Sequence, residues 1–130
     1  MSQRPYTISA TTDLSPEDAE ARIRETLAEQ GFGILSEVNM SATLKTKLDL
    51  DHPFCKILGA CNPPLAAKAL AIDPAMGALL PCHVTIYRDG DETVVAAIEP
   101  VAAMGTTGNA DLEPIALDVR DRLTRAIAAL

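Results

Sequence analysis

The stretch that decides the fold opens with Leu58-Gly59-Ala60-Cys61-Asn62-Pro63-Pro64 and closes with Leu80-Pro81-Cys82-His83-Val84. The first piece has the pattern of a strand that turns directly into a helix, and an alanine-rich helical segment follows it. The second piece predicts the start of the next strand. If these two strands pair as antiparallel neighbours, Cys61 and Cys82 lie at the same end of one sheet. At that corner a pair of thiols either performs chemistry or simply packs.

Three segments carry helix signals. Residues 15–31 begin with Ser15-Pro16, a capping residue followed by a first-turn proline, and end at a glycine. Residues 62–73 begin with Asn62 as the cap and are stopped by a following proline. The last helix is the clearest, because its apolar residues recur at spacings of three and four over residues 112–127.

Five segments carry strand signals, namely residues 6–12, 32–38, 54–60, 82–87 and 93–99. On the second segment Phe32, Ile34 and Val38 are expected on one face, which Ser36 interrupts. Asp89-Gly90-Asp91 signals a tight hairpin turn between the last two strands. The strand order is not readable from periodicity.

Two connecting segments complete the chain. Residues 41–51 are expected to form a loop or a short helix, and residues 104–108 a loop rich in glycine and threonine. The order of the elements predicts a single α+β domain over residues 1–130. We expect about five strands in a mostly antiparallel sheet with three helices packed on it.

Composition narrows the class of protein. Hydrophobic residues make up 48% of the chain, which suits a packed core, but aromatic residues make up only 3%. A net charge of -7 argues against nucleic-acid binding, because contact with phosphate needs a positive surface. No apolar run approaches the roughly 18 residues of a membrane helix, and no secretory signal is visible. Three cysteines in that context favour reduced thiols and a cytoplasmic location.

Cys61 has a physical reason to be reactive. If Asn62 caps a helix, Cys61 lies just outside the N-terminus, where unpaired amide groups and the positive end of the helix dipole favour a thiolate. The competing interpretation is a small buried residue at a crowded turn beside Gly59 and Ala60. Packing is the favoured interpretation, because free cysteine is among the most buried residue types.

Cys82 shares a strand face with Val84 and Ile86, so a core position is favoured for it. Adjacent strand residues point to opposite faces, so His83 is not expected to hold an ion together with Cys82. Cys61 and Cys82 together could form a disulfide, a redox couple or half of a metal site. No Cys-x-x-Cys motif and no second cysteine pair for zinc accompany them, and no metal site is predicted.

Other candidate groups are expected to lie apart from this corner. Cys55 precedes Cys61 by six residues, about 20 Å along an extended strand, and is expected in the core. His52, which follows two aspartates, is expected in a solvated turn rather than in a metal site. Gly105-Thr106-Thr107-Gly108 could hold an anion on its amides, but it lacks the Gly-Lys-Ser/Thr element of a phosphate-binding loop, and a connector is favoured.

The segment Phe54–Tyr87 resembles the domain-of-unknown-function family 302. The resemblance rests on Leu-Gly-Ala-Cys-Asn-Pro at residues 58–63, the Ala/Leu-rich helix that follows, and Leu-Pro-Cys at residues 80–82. It extends to the Gly31-Phe32 strand entry and the last helix, and so spans nearly the whole chain. Pro64, which makes a double proline, departs from the pattern at the start of the helix.

The resemblance implies a compact α+β fold, similar in layout to the TATA-binding-protein-like class, and a homodimer. It supplies no activity and no cofactor, and such a fold similarity does not imply DNA binding. We therefore predict a cytoplasmic accessory domain that binds a small ligand or a partner, with Cys61, Asn62 and Cys82 as candidate ligand-binding residues. The alternative is a thiol-dependent redox enzyme or metal-binding protein, with Cys61 as the thiolate and Cys82 as the second thiol.

Overall fold

The computed structural model describes residues 4–130, and a five-stranded sheet forms the centre of this part of the chain. The strands are β1 (Thr7–Thr12), β2 (Gly33–Asn39), β3 (Cys55–Cys61), β4 (Cys82–Asp89) and β5 (Glu92–Ile98). Their order is β1-β5-β4-β3-β2, and every neighbouring pair is antiparallel. The expected antiparallel α+β architecture is confirmed. Strands β3 and β4 are neighbours, which is the condition for the two-cysteine corner.

The described residues contain five α-helices: α1 (Pro16–Glu29), α2 (Met40–Leu48), α3 (Pro63–Ile72), α4 (Pro100–Gly105) and α5 (Glu113–Ala128). Short 3-10 helices follow α3 and precede α5, at Pro74–Leu79 and Ala110–Leu112. The three expected helices correspond to α1, α3 and α5, α2 is the short helix left open as an alternative for residues 41–51, and α4 is additional. None of the helices described between residues 4 and 130 has the length and apolar character needed to cross a membrane.

Helix α4 corrects the expected loop at residues 104–108, because it includes Met104 and Gly105. The reason lies in Glu99, which follows β5 and caps α4. Its two carboxylate oxygens accept hydrogen bonds from the backbone N–H groups of Val101 and Ala102, at 3.2 and 2.7 Å. A carboxylate at this position also favours the helix dipole, so a helix begins where the sequence pattern suggested only a connector.

The core lies between one face of the sheet and helices α1 and α5. Its fully buried members include Ile23 and Leu27 of α1, Leu123 of α5, and Leu58 and Ile86 of the sheet. Burial of each such side chain contributes about 1.5–3 kcal/mol to folding. The opposite side of the sheet, here called the uncovered face, carries Ile57, Thr85, Val94, Ala96 and Ile98. None of the fully buried residues of the core cluster comes from it.

A β-bulge changes the faces of β2. Ile34 pairs with Ala60 on the helix side, but the register shifts before Ser36, and Val38 then pairs with Ile57 on the uncovered face. Ile34 and Val38 were expected to share a face, and this expectation is wrong. The extra residue of the bulge reverses the alternation of all side chains that follow it.

An ion-pair network joins α1 to the β2–β3 pair. The carboxylate of Glu20 accepts hydrogen bonds from Arg24 and from Lys56, both at 3.0 Å. The Glu20 and Lys56 side chains are only 16% and 18% exposed. Arg24 also bonds Glu37, and this hydrogen bond, helped by the charge of Lys56, lowers the pKa of the Glu37 carboxyl.

Candidate functional site

The end of β3 and the start of α3 form the corner predicted from the sequence. Cys61 is the last residue of β3, and the Asn62 side chain caps α3 by accepting a hydrogen bond from the backbone N–H of Leu65 at 3.3 Å. Asn62 is buried, with 9% of its surface exposed. The predicted cap is present, and it ties the end of the strand to the first turn of the helix.

The first turn of α3 offers no free backbone N–H group. Pro63-Pro64 has none, because proline lacks this donor. The N–H of Leu65 is bonded to the Asn62 side chain, and that of Ala66 donates to the Asn62 carbonyl oxygen at 2.9 Å. The amide groups expected to favour a thiolate at Cys61 are therefore either missing or already bonded.

Cys82, the first residue of β4, lies beside this corner. It pairs with Ala60, so Cys61 is one residue further along the neighbouring strand. The spacing and rise of strands place the two cysteine Cα atoms about 6 Å apart. Both cysteines are free and line the same cavity. The structure thus brings the two cysteines to one corner of the sheet, but Cys82 shares the face of its partner Ala60, and alternation along β3 directs Cys61 to the other face.

The Cys82 thiol is held in its protonated form. Burial, with a smaller effect from the neighbouring Cys61, raises the pKa of Cys82 to about 11. An apolar environment disfavours the charged thiolate, because it offers no solvation in place of water. At neutral pH Cys82 is therefore a poor nucleophile by itself.

The shared cavity is small and largely apolar. Its volume is about 20 Å³, roughly the room for one water molecule. Apart from the two cysteines, Asn62 and Met104, its walls include Phe32, Leu65, Ala69, Leu80, Ile115 and Val119. An organic ligand would need α3 to move away from the sheet.

Two glycines allow the backbone to pack closely here. Gly31 has a φ of +86°, and a Cβ atom on it would lie 2.9 Å from Nδ2 of Asn62. A Cβ atom on Gly59 would collide with Oγ of Ser36 and lie 2.7 Å from Cγ of Pro81. The glycine of the Leu-Gly-Ala-Cys stretch is therefore required by neighbours on both sides of β3, which sequence reasoning did not identify.

Two other candidates lie away from the corner. His83 is exposed and lines a groove on the uncovered face, as strand alternation predicted. Cys55, at the opposite end of β3, was expected in the core, and this expectation is wrong. It is half-buried with its Sγ 3.9 Å from Oγ1 of Thr85, because Cys55 and Thr85 both belong to the uncovered face.

The segment around His52 is a charged turn. The carboxylates of Asp49 and Asp51 both bind Nζ of Lys45, at 2.8 and 3.0 Å, and these contacts raise the pKa of Lys45, with Asp49 contributing most. His52 is exposed, and its Nδ1 lies 2.7 Å from the Pro53 carbonyl oxygen. Within the described residues 4–130, no group of three or more His, Cys, Asp or Glu side chains is placed to hold a metal ion.

The loop after α4 uses its own amide groups. The N–H of Thr107 donates to Met104, that of Gly108 to Gly105, and that of Asn109 to Oγ1 of Thr107. These donors, at 3.1–3.2 Å from their acceptors, are not available to an anion. The geometry is that of a connector between α4 and α5.

The uncovered face contains a feature that sequence reasoning missed. A groove of about 410 Å³ crosses it, with walls that include Tyr6, Val38, Met40, Ile57, His83 and Ile98. A signal was present in the sequence, because residues 94–98 of β5 are an uninterrupted apolar run. A strand with only one buried face normally alternates apolar and polar residues, whereas a continuous run is typical of burial on both faces.

Comparison with known proteins defines the family. The model of the family described as domain of unknown function DUF302 matches residues 8–130. The chain belongs to the DUF302 family. The resemblance predicted from the Cys-Asn-Pro and Pro-Cys segments is thereby confirmed over almost the full length of the chain.

A solved DUF302 structure has the same fold. It is the crystal structure of an uncharacterized conserved protein DUF302 from Bacillus stearothermophilus, 26% identical to this chain. The two superpose with a TM-score of 0.91 over 97% of this chain and 98% of that one. No curated protein matches the chain.

Proposed function

We propose that this DUF302 domain is a partner-binding accessory module whose first partner is a second copy of the same chain. The observation that carries the proposal is the uncovered face with its groove of about 410 Å³. Tyr6 and Val38, on its walls, are 56% and 43% exposed. Exposed apolar side chains grouped around a concave surface are typical of interaction sites.

The composition of β5 supports an additional layer on this face. Helices cover the side of β5 that carries Val95 and Ala97. The other side carries Val94, Ala96 and Ile98, which are equally apolar. Neighbouring side chains of the described residues already shield Val94 and Ala96, which are 6% and 7% exposed, so a second layer from another polypeptide would bury mainly the exposed Tyr6 and Val38.

Charge at the groove does not oppose a second copy as that polypeptide. Charged residues make up 22% of the chain and give it a net charge of -7, so two copies repel at long range. The groove is lined by no Asp, Glu, Lys or Arg. Two copies can therefore meet at this face without placing acidic groups together, and a face that contacts itself satisfies two-fold symmetry.

The size of the face predicts a dimer of modest affinity. Four strand spacings of about 4.8 Å and six residues of about 3.3 Å give roughly 19 by 20 Å, or about 400 Å² in projection. A standard stable interface buries about 800 Å² per partner. Flanking residues must contribute the remainder, and we expect dissociation in the micromolar range.

The test is sedimentation of the full chain across micromolar concentrations. The mass should approach twice 13.8 kDa as the concentration rises. Val38→Glu should weaken the dimer by more than about tenfold, because each interface would bury two added carboxylates. The matched control is Leu35→Glu, which places the same charge on the same strand at a residue that is 68% exposed and does not line the groove.

A wild-type chain that stays monomeric throughout this range contradicts self-association, and so does equal weakening by the two variants. Circular dichroism of both variants verifies that each remains folded. The cytoplasmic location expected from the sequence stays a prediction.

The thiol-dependent redox alternative has less support. Cys61 and Cys82 share a cavity, but Cys82 keeps its proton, and the first turn of α3 has no free amide groups for a thiolate. Alkylation of the native protein tests this alternative. Rapid modification of Cys61 well below about pH 8, the range in which an ordinary thiol is mostly protonated, would favour it over the binding module.

A further inference from the structure

Of the two histidines in the chain, one lines the groove of the uncovered face. His83 lies on β4 beside Gly59 of β3, with which it pairs, and the register of β4 with β5 places Ile98 on its other side. The second histidine, His52, lies in the segment before β3 and does not line the groove. Histidine is the side chain whose charge ordinarily changes between pH 5 and 8. A contact that buries the groove therefore has a titrating group within it.

We propose that protonation of His83 releases a second copy from the groove, so that the domain self-associates at neutral pH and dissociates below about pH 6. This inference rests on the proposed function, the contact of two copies through the uncovered face. By two-fold symmetry each interface would contain two His83 side chains. A charged ring that is buried without a carboxylate beside it is unfavourable, whereas a neutral ring is tolerated among apolar side chains.

The carboxylates on this side of the sheet, within the described residues 4–130, are held away from the groove. Asp89 and Glu92 pair at the hairpin between β4 and β5, and Asp89 is six residues from His83, about 20 Å along the strand. Glu99 follows β5, and its carboxylate accepts hydrogen bonds from the N–H groups that begin α4. None of these carboxylates lines the groove, so a charged His83 would lack an acidic partner there.

The other ionisable groups around the uncovered face do not change charge in the same pH range. Phenols and thiols ordinarily stay neutral up to about pH 7.5, and lysine and arginine stay positive. These groups are Tyr6 before β1, Tyr87 of β4, Cys55 and Cys61 of β3, Lys45 and Lys47 of α2, and Arg4. Between about pH 5.5 and pH 7.5 the change of charge at the groove is therefore that of His83.

The expected response has the opposite sign to the effect of net charge. The chain has a net charge of -7 at pH 7 and an isoelectric point of about 4.7. Acidification towards this value reduces the repulsion between two copies, which by itself strengthens their association. Association that weakens on acidification therefore requires a group that becomes positive within the interface.

The test is sedimentation of the full chain over micromolar concentrations at about pH 7.5 and about pH 5.5. A histidine in water is about nine-tenths protonated at the lower of these values. A dimer that requires two neutral rings at once should then form about 100-fold less readily. Because the smaller net charge opposes this effect, we expect the dissociation constant to rise by at least about tenfold. Circular dichroism at both pH values verifies that the chain stays folded.

Three variants assign the response to His83. His83→Gln keeps a polar side chain that takes up no proton, and it should dimerise at about pH 5.5 at least as tightly as at about pH 7.5. His83→Arg carries a permanent positive charge and should weaken the dimer by at least about tenfold already at about pH 7.5. His52→Gln is the matched control, because it removes the histidine outside the groove, and it should keep the wild-type pH dependence.

The possible failures of this inference and of the proposed function differ. A wild-type dimer that is unchanged or tighter at about pH 5.5 overturns the inference and leaves the self-association standing. A pH response that persists in His83→Gln, or that disappears in His52→Gln, also overturns it. A wild-type chain that is monomeric at every concentration at about pH 7.5 overturns the proposed function and this inference with it.

Discussion

Alkaline pH is expected to destabilise the protein through Cys82. Burial raises the pKa of this thiol from 9.0 to about 11, with a smaller contribution from Cys61. Between these values the folded chain keeps a proton on Cys82 that the unfolded chain releases. Because the folded state then binds more protons, the free energy of unfolding falls as the pH rises through this window, and the stabilisation is complete only below it.

The magnitude follows from the size of the shift. The difference between 11 and 9.0 is two pKa units, and each unit corresponds to about 1.4 kcal/mol, so the complete loss is about 3 kcal/mol. At about pH 10.5 the loss should have reached about 2 kcal/mol. A domain of this size is typically stable by only about 5–15 kcal/mol, so the effect is measurable.

The assay is urea unfolding followed by circular dichroism between about pH 8 and pH 10.5, the range in which Lys and Tyr also begin to titrate. The informative quantity is therefore the difference between the wild type and Cys82→Ala. At about pH 8 we expect Cys82→Ala to be less stable than the wild type. The difference in the free energy of unfolding between the two proteins should narrow by about 2 kcal/mol at about pH 10.5, because Cys82→Ala lacks the titrating group. Cys55→Ala is the control and should keep the wild-type slope. Parallel curves for the wild type and Cys82→Ala would refute the reasoning.

Two further changes test packing and charge. Gly59→Ala should lower the free energy of unfolding by about 1–3 kcal/mol, because the added methyl group collides with Ser36. Gly33→Ala is the control and should change stability little, because nothing lies within 4 Å of the added Cβ atom. If chemical denaturation gives equal losses for the two variants, the collision is excluded as the cause. Glu20→Gln should lower the free energy of unfolding by about 1–2 kcal/mol, because it removes a mostly buried carboxylate that pairs with both Arg24 and Lys56. This value lies between those typical of surface and of buried ion pairs. Glu25→Gln breaks only an exposed ion pair and should leave the denaturation midpoint nearly unchanged. If Glu25→Gln destabilised the protein as much as Glu20→Gln, burial of the Glu20 carboxylate would not explain the effect.

Features with a local cause could be predicted from the sequence. Ser15 and Asn62 cap their helices as expected, because a cap needs only a side-chain oxygen within three residues of a backbone donor. The hairpin at Asp89-Gly90-Asp91 and the alternation that separates His83 from Cys82 also follow from neighbouring residues.

Features that depend on distant residues could not be predicted. The bulge that moves Val38 to the uncovered face has no recognised motif in β2, because it is set by the pairing of β2 with β3. The position of Met104 in the cavity lining depends on α4. This helix forms because β5 ends before Glu99, whose side chain then caps α4. The pKa of Cys82 depends on how helices cover the sheet.

The sequence by itself determined the α+β class, the family and the two cysteines at strand ends, because alternation, capping and turn chemistry act over a few residues. Only the tertiary structure decided that Cys61, Cys82 and Met104 reach one cavity and that one face of the sheet is left without helices. These outcomes depend on strand order and on the packing of elements that lie more than twenty residues apart, and neither is encoded in any single segment.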